Sequence, residues 1–121
     1  MQTFDQIYRP AADVDESLRP LLERLHQSLN LRPVDSAAVK TAMIGVLEFL
    51  ASPSGRTDAN CRAVDFFLMR DEAWSADELP QAFVDVLADM SGALHDTVSA
   101  PGIASNFEST PEQLLERVRR L

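Results

Sequence analysis

Four acidic side chains could share one face of a helix in the second half of the chain. Plotted at about 100° per residue, these side chains fall within roughly 40° of one another; they are Glu78, Asp85, Asp89 and Asp96, here called the acidic face. No basic residue lies between Arg70 and Arg117 to neutralise them locally. The pattern is typical of a solvated helix surface, of a docking surface for a basic partner, or of carboxylate ligands for a divalent metal. The spacing matches no calcium-loop motif, which disfavours the metal.

An aromatic residue lies just before this helix. Trp74 follows Phe66 and Met69 and is flanked by acidic residues on both sides. Aromatic side chains inside an acidic rim are typical of protein-binding surfaces. We therefore predict that Trp74 belongs to the same partner-binding surface as the acidic face, the alternative being that its ring covers one end of the core.

A catalytic arrangement is the second hypothesis for the polar residues. Asp65 lies in an apolar run, so its carboxylate should be at least partly buried and should need a partner, for which Arg62 and Arg70 are candidates. His95 and Asp96 are adjacent and point about 100° apart on a helix. A small acid/base or metal-dependent hydrolase would require Asp65, Asp89, His95 and Asp96 to converge, which the sequence does not establish.

The remaining reactive side chains are expected to be structural. His26 lies among leucines, and we expect a structural role for it. It could join His95 on a metal only if their helices packed side by side. Cys61 is the single cysteine and falls on an apolar helix face, where an inert thiol is expected. We predict no metal and no cofactor.

The composition indicates one acidic domain. The chain has 121 residues, of which 45% are hydrophobic, and a net charge of −8. A negative surface argues against nucleic acids and anionic membranes as partners and favours a basic protein. A lone thiol, no secretion signal at the N-terminus and no stretch long enough to cross a bilayer predict a cytoplasmic protein. Lys40 is the only lysine, and this preference for arginine indicates a bacterial origin.

Apolar residues recur at helical spacing along most of the chain. We predict helices over residues 18–29 and 36–51, from residue 57 or 58 to 72, from a start between residues 75 and 78 to 98, and over 111–121, and leave residues 1–13 as a segment that could pack loosely. The expected caps are listed here: Ser17, Asp35, Thr57 or Asp58, Asp77 and Thr110, the last with Gln113 as a capping box. Gly45, within the second of these helices, suggests close approach by a neighbour.

These patterns predict an all-α protein, a compact bundle of four to five mostly antiparallel helices spanning residues 1–121. The leading functional hypothesis is a non-enzymatic partner-binding protein, such as a bacterial inhibitor of the immunity or antitoxin kind. The hydrolase is one alternative. The other is a helical homo-oligomer with Phe66, Met69 and Ile44 at its interface.

Overall fold

The computed structural model describes residues 3–70, 73–99 and 110–121, and for residues 92–99 it describes the backbone alone. Throughout these ranges the regular structure is helical, as predicted. The described residues form six helices: α1 (Phe4–Ile7), α2 (Leu18–Asn30), α3 (Ser36–Ala51), α4 (Asp58–Met69), α5 (Gln81–Ser99) and α6 (Pro111–Arg119).

The helices pack in two groups around one core. Helix α3 contacts α2 on one side and α6 on the other, while α4 and α5 form a second closely packed pair. The groups join where α5 contacts α6 and where the His26 ring of α2 meets the Phe67 ring of α4 at 6.0 Å. A single apolar cluster includes residues from all six helices. The predicted helical bundle is therefore confirmed.

Local side-chain caps determine where three helices begin. Asp35 accepts hydrogen bonds from the amides of Ala37 and Ala38, and Thr57 accepts one from the amide of Asn60. Thr110 and Gln113 form the reciprocal capping box. Each pattern satisfies amides that have no partner within the helix. These three starts agree with the prediction because the interactions that set them lie within a few residues.

The predicted start of α5 is wrong. The helix begins at Gln81, after Pro80 rather than around it, and Asp77 does not cap it. A residue that precedes proline is disfavoured in the helical region, so Leu79 blocks the extension. Glu78 lies in the preceding turn with a φ of 67°, in the left-handed region. It therefore does not belong to the helix that carries Asp85 and Asp89.

Two other helix ends depart from the prediction in smaller ways. Ser17 occupies the N-cap position of α2, but its side chain makes no capping hydrogen bond; its own amide donates to the Asp15 carboxylate at 2.9 Å. Helix α4 ends at Met69, short of the predicted residue 72, and the amide of Arg70 donates to the carbonyl of Phe67. Residues 71 and 72 lie outside the described ranges.

Part of the N-terminal segment, here residues 3–14, packs into the core where the sequence allowed residues 1–13 to pack loosely, while residues 9–13 are exposed. Phe4, Ile7 and Tyr8 are each at most 5% exposed. Thr3 and Gln6 form a capping box that starts the short helix α1. The aromatic side chains of this segment have only the core to cover them, and their burial holds the segment in place.

Asn60 is a buried polar residue that joins three parts of the chain. It is 1% exposed, and its Oδ1 accepts a hydrogen bond from the amide of Asp15 at 2.9 Å. Its Nδ2 donates to the carbonyl of Gly55 at 2.9 Å. The side chain thus ties the segment before α2 and the loop before α4 to the first turn of α4. Its burial is tolerated because both ends of the amide are satisfied.

Gly45 and Gly55 make a matched pair for testing backbone packing. A methyl group at Gly45 would lie 3.6 Å from Leu21 Cδ2, which is ordinary contact, whereas at Gly55 it would overlap the Phe49 carbonyl. We expect Gly45→Ala to raise the free energy of unfolding by about 0.5–1 kcal/mol, because alanine is the better helix former. Gly55→Ala should lower it by about 1–3 kcal/mol. Denaturant titrations measure both, and the same sign for the two variants would contradict this account of the packing.

Candidate functional site

Four rings fix the N-terminal segment against α2 and α4. Phe4 stacks on Tyr8 with ring centroids 5.1 Å apart and lies 5.6 Å from Phe67 and 5.8 Å from His26. On the outside, the guanidinium of Arg19 lies over Phe4 and Tyr8, at 5.5 and 5.8 Å from the ring centroids. The segment is thereby anchored by rings and a cation–π contact rather than by a regular helix interface.

Two buried polar atoms of this cluster lack a hydrogen-bond partner in the described part of the chain. They are the hydroxyl of Tyr8 and Nε2 of His26. Burial raises the pKa of Tyr8, although the positive charge of Arg19 opposes that shift. Burial lowers the pKa of His26, against a smaller opposite effect of Glu23. The structure therefore favours the neutral form of both groups.

A cavity of about 510 Å³ opens between the N-terminal segment and α4. Its apolar wall is formed by side chains from both elements: Ile7, Tyr8, Val14, Ala63, Phe66 and Phe67. On α4 the lining residues recur at Ala59, Arg62, Ala63 and Phe66, which is one helix face. The volume falls in the range of roughly 300–1,000 Å³ that is usual for small-molecule sites.

The charged side chains around this cavity differ in balance from the rest of the protein. Among the described residues, three basic side chains and two acidic ones line it, in a chain with 11 basic and 19 acidic residues. The basic ones are Arg9, Arg62 and Arg70, and the acidic ones are Asp13 and Asp58. Arg62 contacts Asp58 at 3.0 Å, whereas Arg9 makes no ion pair with any described residue. The described lining therefore carries one more basic than acidic side chain, on a molecule with a net charge of −8.

Two large apolar side chains of α4 project into solvent near this cavity. Phe66 is 58% exposed and Met69 is 63% exposed. They are three residues apart on the helix, so they are neighbours on its surface. We call this pair the α4 patch. Leu31, at 54%, is the other large hydrophobic residue exposed in the described ranges, and it lies after α2.

The acidic face is partly neutralised by distant arginines. Asp89 binds Arg117 of α6 at 2.5 Å, and Glu78 contacts Arg32 at 3.5 Å. Asp85 is exposed and accepts a hydrogen bond from Gln81 at 2.9 Å. The side chain of Asp96 lies outside the described part of the structure. The four residues therefore do not form the single run of unneutralised carboxylates that the sequence suggested, and Glu78 does not lie on the helix at all.

Trp74 is half-buried rather than part of an exposed patch. Its ring packs against the core, and its indole N–H donates to the carbonyl of Leu68 at 3.0 Å. Its polar group is therefore occupied within the fold. The sequence pattern predicts one surface for Trp74, Phe66 and Met69. Of these three side chains, only Phe66 and Met69 are exposed.

The residues of the hydrolase hypothesis are not seen to converge. Asp65 is 3% exposed inside α4 and does not line the cavity, while Asp89 is exposed and bound to Arg117. The side chains of His95 and Asp96 lie outside the described ranges, as does any contact of His95 with His26. Within those ranges no group of three or more histidine, cysteine or acidic side chains could hold a metal ion.

Cys61 is fully buried, as its position on the apolar face of α4 predicted. Its thiol pKa is raised to about 11, mainly by burial; Arg56 opposes the increase, and Asp58 and Glu112 add to it. At neutral pH the side chain is therefore a protonated thiol and a poor nucleophile.

Sequence reasoning missed the cavity and its arginines. A signal for it exists, because α4 carries a second stripe opposite its core face, with small and aromatic residues at helical spacing. What the sequence could not supply is the other wall, since residues 7–14 reach α4 through contacts between residues that are far apart in the chain.

Comparisons with known proteins found no match. The chain matches no family model, and neither curated proteins nor solved structures show significant similarity to it. Among the described helices, none combines the length and the apolar character needed to cross a membrane.

Proposed function

We propose that this protein is a non-enzymatic domain that binds another protein, with the α4 patch at the centre of its contact surface. The observation that carries the proposal is the exposure of Phe66 and Met69 side by side. Exposed aromatic and methionine side chains are enriched at protein interfaces. An inhibitor of the immunity or antitoxin kind, from a bacterium, is the most concrete form of this function.

The burial of most other large apolar side chains supports a functional reason for the exposure of Phe66 and Met69. Most large apolar side chains of the described ranges are buried in one core, including the neighbouring Phe67 and Leu68 at 2% and 3% exposure. Two adjacent apolar side chains left in water contribute little to folding. Contiguous exposed apolar surface typically marks an interaction site.

Charge supports a basic partner. The net charge of −8 produces a negative field that would accelerate the approach of a positively charged protein. Asp85 has no ion pair within the described ranges, whereas Asp89 shares its charge with Arg117. Asp85 is therefore the better candidate for steering the partner, with Trp74, Glu78, Asp89 and Asp96 in lesser or structural roles.

The α4 patch gives a direct test. We expect Phe66→Ser combined with Met69→Ser to weaken binding about 10- to 100-fold, the effect of losing central apolar contacts. The measurement is the Kd, by biolayer interferometry, for whichever protein co-purifies with the wild-type chain from a native lysate. Because both side chains are exposed, the variant should keep its helical circular dichroism and its melting temperature.

Leu31→Ser is the matched control, since Leu31 is equally exposed but lies outside the patch. Its Kd should stay within about 3-fold of wild type. Asp85→Asn should slow association about 2- to 5-fold, and only at low salt. Equal losses in Leu31→Ser and the patch variant would overturn the proposal. Self-association by light scattering, abolished by the patch variant, would replace it with the homo-oligomer alternative.

A further inference from the structure

The cavity between the N-terminal segment and α4 shares Phe66 with the α4 patch but differs from the patch in chemistry. The patch is exposed and apolar, whereas the cavity is concave and carries arginines at its edge. We infer that this cavity binds a small organic anion, an apolar ring or short chain that ends in one carboxylate. This inference does not depend on the proposed protein-binding function.

The walls specify the apolar part of the ligand. Phe66 and Phe67 approach from α4, and Ile7 and Val14 approach from the N-terminal segment. Flat rings and short alkyl groups bury their surface well between such side chains. The volume of about 510 Å³ admits a molecule of this size but is too small for a folded partner.

The charges specify the head group. Among the described residues around this cavity arginine outnumbers aspartate, in a chain where acidic residues outnumber basic ones by 19 to 11. Arg9 is exposed and forms no ion pair with the described residues, so binding an anion need not break one. A guanidinium matches a carboxylate in planar, two-point geometry. The surrounding negative charge of the protein would repel larger polyanions and so favours a single carboxylate.

Tyr8 contributes its ring to the same wall. Its hydroxyl has no hydrogen-bond partner among the described residues and is closed to solvent. A ligand in the cavity therefore contacts the ring of Tyr8 and takes its polar contacts from the arginines.

The test compares three probes that share a phenylpropyl skeleton and differ in their terminal polar group: 3-phenylpropionate, 3-phenylpropanol and 3-phenylpropylammonium. We expect 3-phenylpropionate to bind saturably, in the millimolar range or tighter. Amide shifts in two-dimensional NMR spectra should map to residues 7–14 and 58–70. The alcohol should bind about 2- to 5-fold more weakly and the ammonium more weakly still, because Arg9 is exposed and its contribution is modest.

Variants assign the two parts of the site. Arg9→Gln should remove the preference for 3-phenylpropionate over the alcohol, and Ala59→Leu, which fills the cavity, should weaken both. Leu31→Ser should change neither. Absence of saturable binding, equal binding of the ammonium probe, or shifts confined to other residues would each overturn the inference. Because Arg9 and Ala59 lie outside the α4 patch, their effects are separable from loss of the protein partner.

Discussion

Replacing Asn60 with alanine is expected to lower the free energy of unfolding by about 2–4 kcal/mol. The substitution removes the acceptor for the Asp15 amide and the donor for the Gly55 carbonyl, both now at 2.9 Å. The site is almost fully closed to solvent, so water cannot replace these partners without opening the structure. Urea denaturation followed by circular dichroism gives the change directly, with an unaltered slope if the native fold is retained.

Two comparisons separate hydrogen bonding from mere loss of volume. Asn60→Asp keeps one acceptor but places a carboxylate against the Gly55 carbonyl, so it should be as damaging as alanine at neutral pH. Below about pH 4 the acid can donate, and part of the loss relative to wild type should be recovered. Asn30→Ala removes an amide that also bridges two elements, at His26 and Ala73, but from a half-buried position. A cost for Asn60→Ala no larger than that of Asn30→Ala would contradict the central role of Asn60.

Local rules explain which features of the fold could be predicted. The starts of α3, α4 and α6 depend on caps within three residues, and the core stripe of Phe83, Leu87 and Met90 depends on periodicity alone. The start of α5 also follows a local rule, but the restriction on the residue before Pro80 competes with an attractive cap at Asp77. The helix begins after Pro80, so the backbone restriction has the larger effect.

The candidate site depends on contacts that no local rule contains. Arg32 and Arg117 neutralise acids that lie 46 and 28 residues away in sequence, so the charge pattern around α5 overstated the acidity of that surface. Asn60 looks like an ordinary polar residue in an amphipathic helix until Asp15 and Gly55 are brought to it. The exposure of Phe66 and Met69, by contrast, could be anticipated, because both point away from the apolar face of α4.

We expect the free energy of unfolding to decrease at acidic pH, in part because of His26. His26→Phe should remove the part of this decrease that His26 causes. His26 is 7% exposed among aromatic rings, and burial lowers its pKa below the usual value near 6.5. Between that usual value and the lowered one, the unfolded chain binds a proton that the native protein does not. The free energy of unfolding therefore decreases as pH falls below about 6.5, by up to about 1.4 kcal/mol per pH unit, and the loss levels off below the lowered pKa.

Burial of the His26 ring opposes its protonation more strongly than nearby charge favours it. Arg19 lies over Phe4 and Tyr8, the rings stacked beside His26, and its partner Asp5 is the nearby counter-charge. Glu23 favours the charged imidazole, but the effect of burial is larger. A proton on His26 would therefore be accommodated only if the ring gained access to water. The contact most easily given up is with Phe4, since α1 is a single short turn.

The measurement compares wild type with His26→Phe and His26→Leu from pH 8 to pH 5. Carboxylates titrate in all three proteins, so the difference between the curves isolates His26. We expect the stability of each variant relative to wild type to increase as the pH falls from 8 to 5. Hydrogen exchange at the Tyr8 amide, which donates to the Phe4 carbonyl at 2.8 Å, should accelerate at pH 5 in wild type beyond the rate that each variant shows at the same pH. Parallel stability curves, or an NMR titration of His26 at its usual pKa, would show that the ring is already hydrated and that the N-terminal segment is held by other contacts.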